Sequence, residues 1–245
     1  MESNTLIQQS LDGQPFGFSA ADISDLGATE YTLVNIVVDE SSSVSAYKTE
    51  MEKCIKEIVK SCKMSPRSDF LLLRIIAFNS DMREIHGFKQ LQDCNLDNYE
   101  DCLHPSGMTS LFDTVQNAIS ATENYGKQLY DNDFEVNSIH FIISDGCNNR
   151  GNTTPDDIKA SLQNIMKEEI LESNMTILIG VGIGGYSDVS AYLSDFKDQA
   201  DLTQYVEIDN ANEKTLAKLA NFISQSISSQ SNSLGSGGAS QPLQF

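Results

Sequence analysis

Basic residues are scarce in this sequence. Only 16 Lys and Arg stand against 35 Asp and Glu, giving a formal net charge of −19 and a sequence pI near 4.3. Such a surface repels phosphate backbones and anionic headgroups, which argues against nucleic acid or a membrane as partner. It is compatible with divalent cations, though an acidic surface most often serves solubility alone. Cysteine is limited to Cys54, Cys62, Cys94, Cys102 and Cys147, an odd number with no C-x-x-C spacing. That pattern does not suit a disulfide framework, and reduced thiols in a cytosolic protein are expected. The first residues, Met1-Glu2-Ser3-Asn4-Thr5, offer no basic n-region and no apolar h-region, so no secretory signal is expected. No apolar run approaches the roughly 20 residues of a membrane span. Without a secretory signal, the sequons at Asn152 and Asn174 carry no weight, and the expected location is the cytoplasm. A P-loop, a G-x-S-x-G elbow and a Cys/His dyad are also missing, which removes the commonest catalytic frameworks.

What the sequence has is alternation. Short apolar runs at Leu33–Val38, Phe70–Phe78, Ile139–Ile143, Thr176–Val181 and Tyr205–Ile208 are mostly β-branched or aromatic and bounded by polar residues or Gly, as buried strands are. Helical patterns lie between them. One starts near Ser45 and puts Met51, Cys54, Ile55, Ile58 and Val59 on one face. Others cover Leu111 to Ala121, Pro155 to Leu171, Asp188 to Phe196 and Glu213 to Ile227. Thr154-Pro155-Asp156-Asp157 is a helix start, with a Thr cap, Pro in the first turn and acids beside it. The predicted fold is therefore α/β, a doubly wound and mostly parallel sheet with helices on both faces. Residues 1–29 are polar, punctuated by Gly and Pro, and predict an extended arm. Residues 30–228 form the domain, and residues 229–245 predict a flexible Ser/Gly-rich tail.

Chemistry is concentrated at three predicted strand ends. The run Leu33–Val38 leads into Asp39-Glu40-Ser41-Ser42-Ser43, which brings one carboxylate and two hydroxyls to the carboxyl edge of the sheet, where open α/β sheets place ligands. The run Ile139–Ile143 ends in Ser144-Asp145-Gly146. Between them, Ser106-Gly107-Met108-Thr109 offers a threonine just before a helix. Oxygen donors from Asp39, Ser41, Ser43, Thr109 and Asp145 suit a hard cation, Mg²⁺ or Mn²⁺ ahead of Zn²⁺. Each acid alone would more often cap a loop. Glu40 is expected to be solvated and Ser42 to belong to the loop. His86 and His104 are expected on the surface, and His140 as a satisfied core residue.

These motifs resemble the von Willebrand factor A (VWA) domain family, whose metal-ion-dependent adhesion site consists of D-x-S-x-S, a loop threonine and an Asp in a Ser/Thr-Asp-Gly turn. The resemblance covers roughly residues 31 to 227. It departs from the family only where Ser42 and Met108 replace frequent glycines, beside ligand positions rather than at them. It implies a non-enzymatic protein-binding module, in which a Mg²⁺ or Mn²⁺ ion held by those five residues takes an Asp or Glu carboxylate from another protein. Intracellular bacterial and phage members suggest an accessory subunit of a stress, defence or ATPase-linked assembly. The alternative is a Mg²⁺-dependent phosphotransferase or phosphatase with Asp39 as nucleophile. Against it, Ser41 occupies the place where haloacid-dehalogenase-like enzymes carry a second, proton-transferring Asp. Gly180-Val181-Gly182-Ile183-Gly184-Gly185 formally matches G-x-G-x-x-G, but it follows a late strand and is expected to be a structural turn.

Overall fold

The computed structural model describes residues 6–236 and 238–245. Eight strands form one sheet: β1 (Ile7–Gln9), β2 (Phe18–Ala20), β3 (Glu30–Asp39), β4 (Leu71–Phe78), β5 (Met82–Gln90), β6 (Glu135–Ser144), β7 (Asn174–Val181) and β8 (Gln204–Ile208). Their spatial order is β1-β2-β5-β4-β3-β6-β7-β8, and the central run from β4 to β8 is parallel throughout. The helices are α1 (Lys48–Lys63), α2 (Leu111–Tyr130), α3 (Pro155–Lys167), α4 (Ser187–Gln199) and α5 (Glu213–Asn232). The expected α/β architecture is what the chain adopts.

Period-two alternation along the strands divides the core into two layers. Val34, Ile36 and Val38 of β3 face α1 and α5, where Met51, Cys54, Ile55, Ile58 and Val59 are all buried as the helical spacing predicts. Leu33 and Val37 face the other way, onto Val115, Ala118 and Ile119 of α2, with α3 and α4 extending that layer. Each fully buried aliphatic side chain contributes about 1.5–3 kcal/mol relative to exposure. The predicted start of α3 is a full capping box between Thr154 and Asp157.

From β3 the chain crosses to β4, and after β5 and α2 it returns to β6 on the opposite side of β3. The sheet therefore reverses its direction of growth between β3 and β6, and the crevice at their carboxyl ends is the topological switch point.

Several expectations need correction. The segment read as an extended arm contributes β1 and β2, which pair with each other and add to the edge at β5. Packing explains this: Phe18 and Ala20 are buried against Phe88 and Tyr125, and Ser19 N–H donates to the Glu84 carboxylate at 3.1 Å. The strand β5 itself gave no apolar run, because its residues at the Met82 end stay half-exposed. At the other end, α5 runs five residues beyond Ile227, and the segment after it folds back, with Leu243 C=O accepting from Gln204 Nε2 and Phe245 edge-on to Phe222.

Two histidines also differ from expectation. His86 is buried, its imidazole held between the Gly87 carbonyl and the Tyr99 hydroxyl at 2.9 Å each. His140 lies in the core, but neither ring nitrogen has a hydrogen-bond partner among the described residues. The sheet register sets it in a row with Asn35 and the buried Arg74, whose guanidinium is paired with Glu84. Burial lowers both histidines from 6.5 to about 3, assisted by the charges of Lys89 near His86 and Arg74 near His140.

Because the unfolded chain takes up these protons near pH 6.5 and the folded chain does not, stability present above that pH is lost as pH falls toward 3. The expected loss is about 2 kcal/mol per histidine at pH 5. Thermal unfolding followed from pH 8 to pH 5 should show a falling Tm, and His140→Leu should flatten about half of that slope. An equal slope in the variant would count against His140 as a source of acid sensitivity.

Candidate metal site

The two central strands bring the site together. In the parallel register Val38 lies opposite Ile143, so the next residues, Asp39 and Ser144, end side by side. Ser144 Oγ donates to Asp39 Oδ2 at 2.6 Å, and Ser41 N–H donates to Asp39 Oδ1 at 2.8 Å. Ser41 Oγ and Ser43 Oγ are 3.0 Å apart, and Ser43 Oγ donates to Asp145 Oδ1 at 2.8 Å. Asp39, Ser41, Ser43 and Asp145 thus form one hydrogen-bonded chain across two loops. Asp39 and Ser41 are buried beneath it, Asp145 is half-buried and Ser43 is exposed. The chain has a closed floor and an open top.

Thr109 enters from the third loop. It is buried, and its backbone is clamped on both sides by Asn149: Thr109 N–H donates to Asn149 Oδ1 at 2.8 Å, and Asn149 N–H donates to Thr109 C=O at 3.0 Å. No hydrogen bond joins its side chain to the other four residues among the described residues. The preceding Gly107 is required by its geometry, since φ is +70° and a Cβ there would sit 2.6 Å from Ser80 Oγ. Its carbonyl accepts from the Ser42 hydroxyl at 3.1 Å, tying the threonine loop to the loop after β3. Ser42 is exposed and holds the loop, as expected.

Three supporting residues were not visible in the sequence. Tyr47 donates from its hydroxyl to Asp145 Oδ2 at 2.5 Å, and its own ionisation is suppressed by burial and then by that carboxylate. Asn148 and Asn149 join the loop after β6 to the threonine loop, Asn148 Oδ1 accepting from Phe112 N–H at the start of α2 at 3.1 Å. No spacing rule marks a tyrosine or a pair of asparagines for such work.

Glu40 corrects another expectation. It does point away from Asp39, but the far side is covered rather than wet. Its carboxylate is buried, pairs with Arg83 Nη2 at 2.8 Å and accepts from His104 N–H at 2.8 Å. Glu40 therefore anchors the strap before the threonine loop, with Ser106 N–H donating to its backbone carbonyl at 2.9 Å. His104 is exposed, as expected.

The electrostatics suit a cation. Among the described residues neither Asp39 nor Asp145 has an ion-pair partner; every salt bridge lies elsewhere. Burial pushes the Asp39 carboxyl up to about 6, and the charge of Asp145 adds to the rise, while hydrogen bonds from Ser144 and Ser41 oppose it. Two carboxylates with no basic side chain to balance them are what a divalent ion would neutralise. Each carboxylate oxygen of Asp39 accepts one hydrogen bond from the protein and keeps a lone pair free. The donor set fits a hard divalent ion. No cluster of three or more His, Cys, Asp or Glu side chains arranged for a metal occurs among the described residues.

Neither family models nor curated protein sequences match this chain. Solved structures do. The PilB minor pilin from Streptococcus sanguinis is similar over 82% of this chain and 62% of its own, with a TM-score of 0.58 and 14% identity. Proximal thread matrix protein 1 from the mussel byssus, in a structure with a zinc-occupied MIDAS motif, is similar over 82% of this chain and 46% of its own, with a TM-score of 0.54 and 18% identity. The pilus adhesin SpaC from Lactobacillus rhamnosus GG is similar over 91% of this chain and 34% of its own, with a TM-score of 0.57 and 10% identity. The chain therefore spans less than two thirds of the length of each of these proteins. At such identities the likeness establishes the fold, and the fold is VWA-like. No described helix is long and apolar enough to cross a membrane.

The elevated Asp39 value has a sign that can be tested. A carboxylate whose folded value lies above its unfolded 3.8 costs stability as pH rises through about 6, by about 3 kcal/mol once fully ionised. In EDTA at pH 8, Asp39→Asn should therefore melt above the wild type, and the gain should vanish by pH 4. A variant less stable than wild type at pH 8 would show that the carboxylate supports the fold rather than straining it.

Proposed function

We propose that this chain is a metal-dependent protein-interaction module. A Mg²⁺ or Mn²⁺ ion, held by Asp39, Ser41, Ser43 and Asp145 with Thr109 in reach of a rearranged shell, takes a partner protein's Asp or Glu carboxylate as its last ligand. The observation that carries this reading is the uncompensated pair, Asp39 and Asp145, joined through Ser41 and Ser43 at the switch point of the sheet. Two protein carboxylates neutralise a divalent ion and no more, so the ion keeps the electrophilicity to bind a third carboxylate from outside. The exposed Ser43 and half-buried Asp145 mark the side from which that guest would approach. The zinc-occupied MIDAS of the byssus protein supports a divalent ion in this fold. Oxygen-only donors favour the harder Mg²⁺ or Mn²⁺ here.

The phosphotransferase alternative needs Asp39 as an attacking nucleophile. Its side chain is nearly inaccessible, and both of its oxygens already accept hydrogen bonds from Ser144 and Ser41. That placement suits a ligand at the base of a metal site better than a group that must reach a phosphorus atom.

Divalent metal should raise the Tm of the wild type reversibly, by the equivalent of about 2.7 kcal/mol at a hundredfold excess over Kd, and EDTA should cancel the gain. Asp39→Ala should abolish the response. A melting curve unchanged by millimolar Mg²⁺ or Mn²⁺ would defeat the proposal, as would metal-dependent phosphatase turnover that Asp39→Asn removes.

The looser attachment of Thr109 separates two roles. Asp145→Ala should weaken both metal binding and capture of a carboxylate-bearing partner peptide, whereas Thr109→Ala should weaken capture far more than metal binding. Calorimetric titration of each variant with Mg²⁺, then with peptide, decides this. Equal loss of metal affinity in both would make Thr109 a constant ligand.

A further inference from the structure

An open groove of about 630 Å³ runs alongside the candidate metal site and shares Ser43 and Asp145 with it. Its other walls come from Tyr47, from the turn after β7 at Gly182 and Tyr186, and from the loop after β8 at Asp209. We infer that this groove receives a lysine or arginine side chain from the same partner segment whose carboxylate completes the metal site. The inference rests on the metal-binding reading above and specifies the partner: a segment carrying an acid and a base close together.

Charge is the first argument. No Lys, Arg or His lines the groove, and Asp209 is exposed there with no ion-pair partner among the described residues. A second acid from the partner would meet the unpaired Asp209, and a purely apolar side chain would desolvate Asp209 without pairing it. Shape is the second. Tyr186 is 65% exposed, and Tyr47 lines the same groove with its hydroxyl committed to Asp145. Two tyrosines beside a carboxylate suit a long alkyl stem with a cationic head, which packs on the rings and ends in water or at the acid.

The glycine run that formally resembles a dinucleotide fingerprint builds this groove. Gly182 lines it with φ +73°, a conformation that side chains rarely adopt. A Cβ on Gly184 would come within 2.7 Å of the Asp209 carbonyl oxygen, and Gly184 N–H donates to that oxygen at 3.0 Å. The glycines thus bring the β7 turn against the Asp209 loop and hold the carboxylate at the rim. Long-range electrostatics give a third argument. A chain with net charge −19 repels a plainly acidic segment before the metal can engage it. A base next to the acid removes that repulsion and orients the segment across ion and groove.

The test uses the full chain, immobilised with Mg²⁺ and exposed to a phage library of random dodecapeptides, with bound phage eluted by EDTA. Eluted sequences should pair Asp or Glu with Lys or Arg within a few positions. A synthetic peptide of the selected sequence should lose about fivefold in affinity when its base becomes Gln. In Asp209→Asn the two peptides should bind alike. EDTA-eluted acidic peptides without enriched bases, or a Gln peptide that binds as tightly as its parent to the wild type, would overturn the inference while leaving the metal-held carboxylate intact. A complete lack of EDTA-eluted peptides would instead defeat the metal-socket reading and this inference with it.

Discussion

The parallel pairing of β3 with β6 in a single register is the constraint on which the carboxyl edge depends. Nine consecutive residue pairs from Glu30 to Val38 fix that register, all but the first of them buried on both strands. A slip by one residue would turn every apolar side chain of β3 to the wrong layer. It would also part Asp39 from Ser144, whose hydrogen bond links the two strand ends at the base of the site. The core therefore enforces the geometry of the edge. Burial energy spread over two apolar layers holds two carboxylates in a place where neither gains from being.

That arrangement has a cost that stays local. Asp39 is desolvated and faces Asp145, with no basic side chain paired to either acid among the described residues. Loop attachment is delegated to other groups: Glu40 with Arg83 and His104, Ser42 with Gly107, and Asn149 with Thr109. Much of the loop attachment thus rests on residues other than the two facing acids, although Asp145 also accepts from Ser43 and Tyr47. Electrostatic strain at the opening can thus be relieved by a ligand without redrawing the loops.

Much of this was legible in the sequence because it is local or periodic. The apolar runs of β3, β4, β6 and β7, the buried stripe of α1 and the cap at Thr154 follow from side-chain spacing alone. The donors Asp39, Ser41, Ser43 and Asp145 sit at strand ends, where short polar residues after an apolar run signal an edge. What escaped was set by partners distant in sequence. β5 is half-wet and has no apolar run, so its pattern never rises above that of a loop. Glu40 looked solvated because alternation shows which way a side chain points and not what lies there. Tyr47, Asn148 and Asn149 act through contacts across the edge, which spacing does not encode. The polar segment before β3 looked like an arm because three-residue strands are too short to show a period.

That segment has a practical meaning. Phe88 and Tyr125 are covered by Phe18, and β2 pairs with the outward edge of β5 at Phe88. A fragment trimmed to begin near residue 30, where the apolar alternation starts, would bare two aromatic rings and the outward edge of β5 at Phe88 at once. Such an edge recruits the same edge of a neighbouring molecule, so truncation would turn a self-contained sheet into a unit prone to strand-to-strand polymerisation. The first strands are best regarded as the cover of the sheet and not as a leader to it.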